Sequence, residues 1–71
     1  MTIAAINAKN QFRGKITAIT LGTVVSEVAV ETPNGSVTSV ITPSSVRDLG
    51  LDVGSEVLAI VKATDVAIAK L

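Results

Sequence analysis

Seventy-one residues make one small domain, near the lower limit of what folds alone. Cysteine and histidine are absent, which excludes disulfide staples, thiolate zinc sites and the common base and nucleophile pairs of catalysis. Six basic residues balance six acidic ones, so no general polyanion-binding surface is expected, while a local anion site built from a few donors stays open.

A core of this size supplies roughly 3–5 kcal/mol by itself. Yet 48% of the chain is hydrophobic, in a protein where much residue surface must face water. We therefore expect some apolar surface to meet other copies of the chain in a homo-oligomer. The apolar run at residues 2–6 is too short to span a membrane and lacks the basic flank of a signal peptide. The expected protein is soluble and cytoplasmic.

From Phe12 the pattern has period two. Phe12, Gly14, Ile16 and Ala18 fall on one face and Arg13, Lys15 and Thr17 on the other, predicting a half-buried strand that ends near Leu21 and Gly22. Residues 24–31 form a second strand, with Val24, Val28 and Val30 opposite Glu27 and Glu31. Thr32-Pro33-Asn34-Gly35 then sets Pro and Gly at turn positions, and residues 37–41 return as the other half of a β-hairpin.

Residues 42–50 read as one short helix. Thr42 caps it, Pro43 suits its first turn, and Gly50 supplies a left-handed stop. After a turn at residues 52–55, residues 56–63 form a strand apolar on both faces, with Val57, Ala59 and Val61 opposite Leu58 and Ile60. Such a strand is expected to be covered on both sides, either in the middle of a sheet or at a subunit contact. Residues 66–71 complete the pattern as a fifth strand. The expected fold is all-β, a small five-stranded OB-like barrel with one short helix between strands 3 and 4.

The candidate chemistry is anion binding. A tetrahedral dianion accepts hydrogen bonds only, so it needs convergent N–H and O–H donors and some positive charge. Three segments offer these: Asn7-Ala8-Lys9 before the first strand, the hydroxyls of Thr42, Ser44 and Ser45 at the helix start, and Lys62-Ala63 where the fourth strand ends. Taken singly, each has a plainer role: a helix cap for Thr42 and Ser45, a solvated side chain for Lys62, and a surface terminus for Asn7 and Lys9.

Order along the chain adds weight. Asn10-Gln11-Phe12-Arg13-Gly14-Lys15, the central hairpin, Val46 with Leu49-Gly50-Leu51, Val53-Gly54 with Glu56-Val57, and Lys62-Ala63-Thr64 with Val66 follow one another from Asn7 to about Ile68. In this series the chain resembles the molbindins, small bacterial molybdate-binding proteins built on a TOBE-type domain. The unit is also similar to the molybdate-responsive domain of transport ATPases and of a molybdate-dependent repressor.

The resemblance implies that residues 1–71 are a single oxyanion-binding domain, taking molybdate and also tungstate at subunit interfaces. One subunit would contribute Asn7, Ala8, Lys9, Lys62 and Ala63, and the other the Thr42 and Ser45 hydroxyls. It implies a homohexamer arranged as a trimer of dimers, a role in molybdenum storage or homeostasis, and no cofactor. The usual family opening has Ser and Arg where this chain has Asn7 and Lys9. Lysine keeps the charge of arginine but loses its planar fork, which bears on affinity and selectivity.

Three rivals are weaker. Single-stranded nucleic-acid binding needs a basic groove and aromatic platforms, and Phe12 is the only aromatic residue. Catalysis lacks a base, and Glu27, Glu31, Asp48, Asp52, Glu56 and Asp65 are scattered over turns and polar faces. A ligand-free structural or protein-interaction oligomer of the same fold is the alternative that the Asn7 and Lys9 departures keep alive.

Overall fold

The computed structural model describes residues 9–71. Four strands, β1 (Asn10–Leu21), β2 (Ser26–Thr32), β3 (Gly35–Ile41) and β4 (Glu56–Val61), form one antiparallel sheet in the order β3-β2-β1-β4. A short helix, α1 (Pro43–Asp48), joins β3 to β4, and a 3-10 turn (Ala63–Asp65) follows β4. The expected small all-β, OB-like class holds, with the helix where it was predicted. The strand count does not: residues 66–71 form no strand. A strand needs a partner ladder, and among the described residues none pairs with this segment, whose Ile68 and Leu71 are exposed.

β1 organises the sheet because its two halves pair with different partners. Residues 10–15 run against β4 and residues 15–21 against β2, so Lys15 faces both Glu56 and Glu31 across the strands. The period-two pattern carries Ile16 into the core and then breaks. Between Ile16 and Ala18 the register against β2 shifts by one residue, a β-bulge. Beyond it Ile19 turns toward the core and Ala18 is exposed, the reverse of the simple alternation. At Gly14 an added Cβ would run into the Glu31 carbonyl oxygen and come within 2.9 Å of Val30 Cγ1, so the close approach of β1 to β2 needs glycine there.

The turns follow local chemistry closely. Thr32 Oγ1 accepts from Asn34 N–H at 3.1 Å and donates to the Gly35 carbonyl at 2.7 Å, closing a two-residue hairpin with Gly35 at φ 121°. β2 starts at Ser26 rather than at 24. Gly22 N–H reaches the Val25 carbonyl at 3.0 Å, which draws Val24 and Val25 into the preceding turn. At the end of α1, Gly50 adopts φ 63°, its N–H bonds Arg47 O, and Leu51 N–H bonds Val46 O, both at 3.0 Å. This paired arrangement is the Schellman stop that the glycine foretold.

The core consists of Ile16, Val28, Val30 and Val46, with Ile19, Ile41, Leu51 and Val57 packed against it. At about 1.5–3 kcal/mol for each buried apolar side chain, this is a small core. Among the described residues β4 is an edge strand with no fully buried residue, so they offer no central-strand explanation of its two apolar faces. Ile60 is exposed on one of those faces.

Candidate functional site

β1 carries a different donor group at each of its ends. At its start, Asn10 pairs with Val61, the last residue of β4. Lys9 immediately precedes that rung and Lys62 immediately follows it, so two residues fifty-three positions apart in the chain flank one pair of the sheet. Both are exposed. Their backbones are neighbours across the end of the ladder, and two ammonium groups in one neighbourhood repel each other and favour an anion between them.

Backbone donors accompany them. Lys62 is the N-cap of the 3-10 turn, with φ −63° and ψ 139°, and among the described residues no side chain caps that turn. Ala63 is its first residue, so the N–H groups at the start of the turn have no partner within the turn itself. Asn7 and Ala8, the rest of the expected positive group, lie outside the described residues.

The second group stands at the start of α1. Thr42 Oγ1 accepts from Ser45 N–H at 3.1 Å, the N-cap bond expected of it. The same oxygen lies 2.9 Å from Ser45 Oγ and 3.1 Å from Ser44 Oγ. Three hydroxyls thus share one hub. The Ser45 amide and one serine hydroxyl fill the two lone pairs of Thr42 Oγ1, its proton goes to the other serine, and that serine's own proton is left to turn toward an external acceptor. Ser44, one of the candidate donors at the helix start, belongs to this cluster, although the family resemblance gives it no ligand role.

The sheet register separates the two groups. Leu21, at the far end of β1, pairs with Ser26, which pairs with Ile41, the residue before Thr42. The hydroxyls therefore sit beyond the end of β1 and the lysines before its start. β1 has 12 residues, a path of roughly 36 Å at about 3.3 Å per residue, and the groups stand at its opposite ends. Lys9 and Lys62 are brought together, as are Thr42 and Ser45, but the two pairs do not converge within one chain.

A shallow groove of about 570 Å³ lies elsewhere, lined in part by Arg13, Lys15, Thr17, Glu31, Thr32 and Glu56. Its two cations face two carboxylates, and Glu31 is further engaged by Ser36 Oγ–H at 2.5 Å, so it offers an anion no net positive charge. None of the expected site residues lines it. Among the described residues no group of three or more acidic, histidine or cysteine side chains is placed to hold a metal ion. No helix among them is long and apolar enough to cross a membrane.

Comparison with known proteins agrees with this picture of the fold. The TOBE domain family model matches residues 6–68. Molybdenum-pterin-binding protein 3 of Clostridium pasteurianum is 45% identical over 65 residues, spanning 90% of this chain and 96% of that protein. The solved structure of a molybdate-binding protein from Sporomusa ovata superposes with a TM-score of 0.88 at 32% identity, over 93% of this chain and 98% of the other. The cytoplasmic molybdate-binding protein ModG, solved with molybdate bound, matches with a TM-score of 0.78 at 33% identity, over 83% of this chain and 43% of ModG. These relatives are binding proteins by name, and with a family model spanning nearly its whole length the chain belongs to the TOBE domain family.

Proposed function

We propose that this chain is a cytoplasmic molybdate-binding protein that stores or buffers the oxyanion, with residues 1–71 acting as a single binding domain. The observation that carries the reading is the Lys9–Lys62 pair flanking the Asn10–Val61 rung. Paired cations beside uncapped backbone N–H groups suit an acceptor-only dianion, and relatives alike over nearly the whole chain bind molybdenum species by name. Lys62 and Lys9 supply charge, and Ala8, Lys9 and Ala63 supply backbone N–H donors. Asn7 donates through its amide.

The Thr42 and Ser45 hydroxyls complete the site from a second subunit. Their separation from the lysines along β1 supports this division, because one chain alone cannot close both groups on one anion. Exposed Leu21, Val24, Val40, Leu49 and Val53 support self-association, for which we propose a homohexamer arranged as a trimer of dimers. Tungstate, with the same charge and nearly the same size, binds in the same way. The chain acts by reversible binding, without catalysis or a cofactor.

Calorimetric titration of the assembled protein with molybdate, tungstate and sulfate tests this. Saturable heat with molybdate is expected, together with stabilisation of about 2.7 kcal/mol per site at 100 times the dissociation constant. An assembled, folded protein that takes up neither molybdate nor tungstate would instead be a structural oligomer.

A further inference from the structure

We propose that Asp65 sets the affinity and charge selectivity of the oxyanion site, an inference that rests on the functional reading above. Asp65 closes the same 3-10 turn that Lys62 opens. Its N–H donates to the Lys62 carbonyl at 2.9 Å, and Val66 N–H reaches the Ala63 carbonyl at 3.4 Å. A turn closed in this way holds the first and last Cα atoms within about 7 Å. The Asp65 backbone is therefore held beside the Lys62–Ala63 donors, and Asp65 is the acidic residue in the first turn of that element.

Charge balance at this corner gives the carboxylate its effect. Lys9 and Lys62 bring two positive charges, and Asp65 removes one of them. An anion arriving at the turn meets attraction and repulsion together, and a dianion feels the Asp65 repulsion twice as strongly as a monoanion. The result is a site trimmed for exchange: strong enough to collect a dianion, weak enough to return it.

The test compares the wild-type protein with Asp65→Asn, using molybdate as the dianion and perrhenate as a tetrahedral monoanion. Asp65→Asn should tighten molybdate by about two- to fivefold at low salt, the range for one exposed charge several ångströms from the ligand. Perrhenate should gain only about the square root of that factor, since each ligand charge contributes one equal step. Asp65→Glu should bind like the wild type, and added salt should shrink the difference. Asp65→Ser repeats the charge removal should the Asn variant misfold. Unchanged molybdate affinity in the neutral variants, or an equal gain for both anions, would overturn the inference while leaving the functional reading intact. Failure of the wild type to bind molybdate would overturn both.

Discussion

The two ends of β1 are built on opposite principles. At its start, long-range pairing assembles charge: Lys9 and Lys62 meet only because Asn10 pairs with Val61. At its far end, local chemistry assembles hydroxyls: Thr42, Ser44 and Ser45 lie within one turn and are gathered by a helix cap. The lysine end can attract an anion but has no side-chain hydroxyl of its own except Thr64. The hydroxyl end can surround an anion with O–H donors but carries no lysine. On the proposed reading each is half of an oxyanion site, and the comparison teaches how a small chain could keep incompatible requirements apart and unite them by assembly.

Removing either half breaks that comparison in a different way, beginning with charge. Lys62→Ala should lower molybdate affinity by about 10- to 100-fold, the equivalent of one charge-assisted hydrogen bond, with assembly unchanged by light scattering. Retained affinity would mean that the lysine end is only a solvated strand terminus.

Thr42 sharpens the contrast, because on the proposed reading its oxygen serves fold and ligand together. Thr42→Ala should destabilise the protein by about 1 kcal/mol through the lost N-cap, read from denaturant unfolding, and weaken molybdate binding as well. Thr42→Ser keeps the hydroxyl and should largely restore both. A Thr42→Ala variant that lost stability but bound normally would reduce the hydroxyl end to a helix cap.

The smallest effect is expected at Ser26, which shares the Leu21–Ser26–Ile41 row near the hydroxyl end but is almost fully buried. Among the described residues its Oγ has no hydrogen-bond partner. A buried hydroxyl without a partner costs more than it contributes, so Ser26→Ala should be neutral or stabilise by up to about 1 kcal/mol, with molybdate affinity unchanged. Loss of affinity there would show that the site extends into the core.

The two ends also differ in how far they could be read from the chain. The hairpin at Thr32–Gly35, the Thr42 cap and the Gly50 stop were all legible, because each depends on residues within one turn of one another. The bulge after Ile16 was not, since it exists only in the register between β1 and β2. β4 showed two apolar faces, but nothing in its own residues distinguished a central strand from an edge. Residues 66–71 had the composition of a strand and lack the pairing that would make them one. The same division runs through the site. Thr42 and Ser45 could be grouped by spacing, whereas the meeting of Lys9 with Lys62 depends on pairing across fifty residues, and only the order of motifs hinted at it.

The central claim is that one site takes its charge from one chain and its hydroxyls from another. Mixing two defective variants tests it most directly. Lys62→Ala and Thr42→Ala/Ser45→Ala would be purified, dissociated, combined in equal amounts, reassembled and titrated with molybdate. A site shared between chains should be intact wherever a good lysine end meets a good hydroxyl end, restoring about a quarter of the sites at wild-type affinity after random reassembly. A mixture that binds no better than its two components, despite proven subunit exchange, would contradict the shared site.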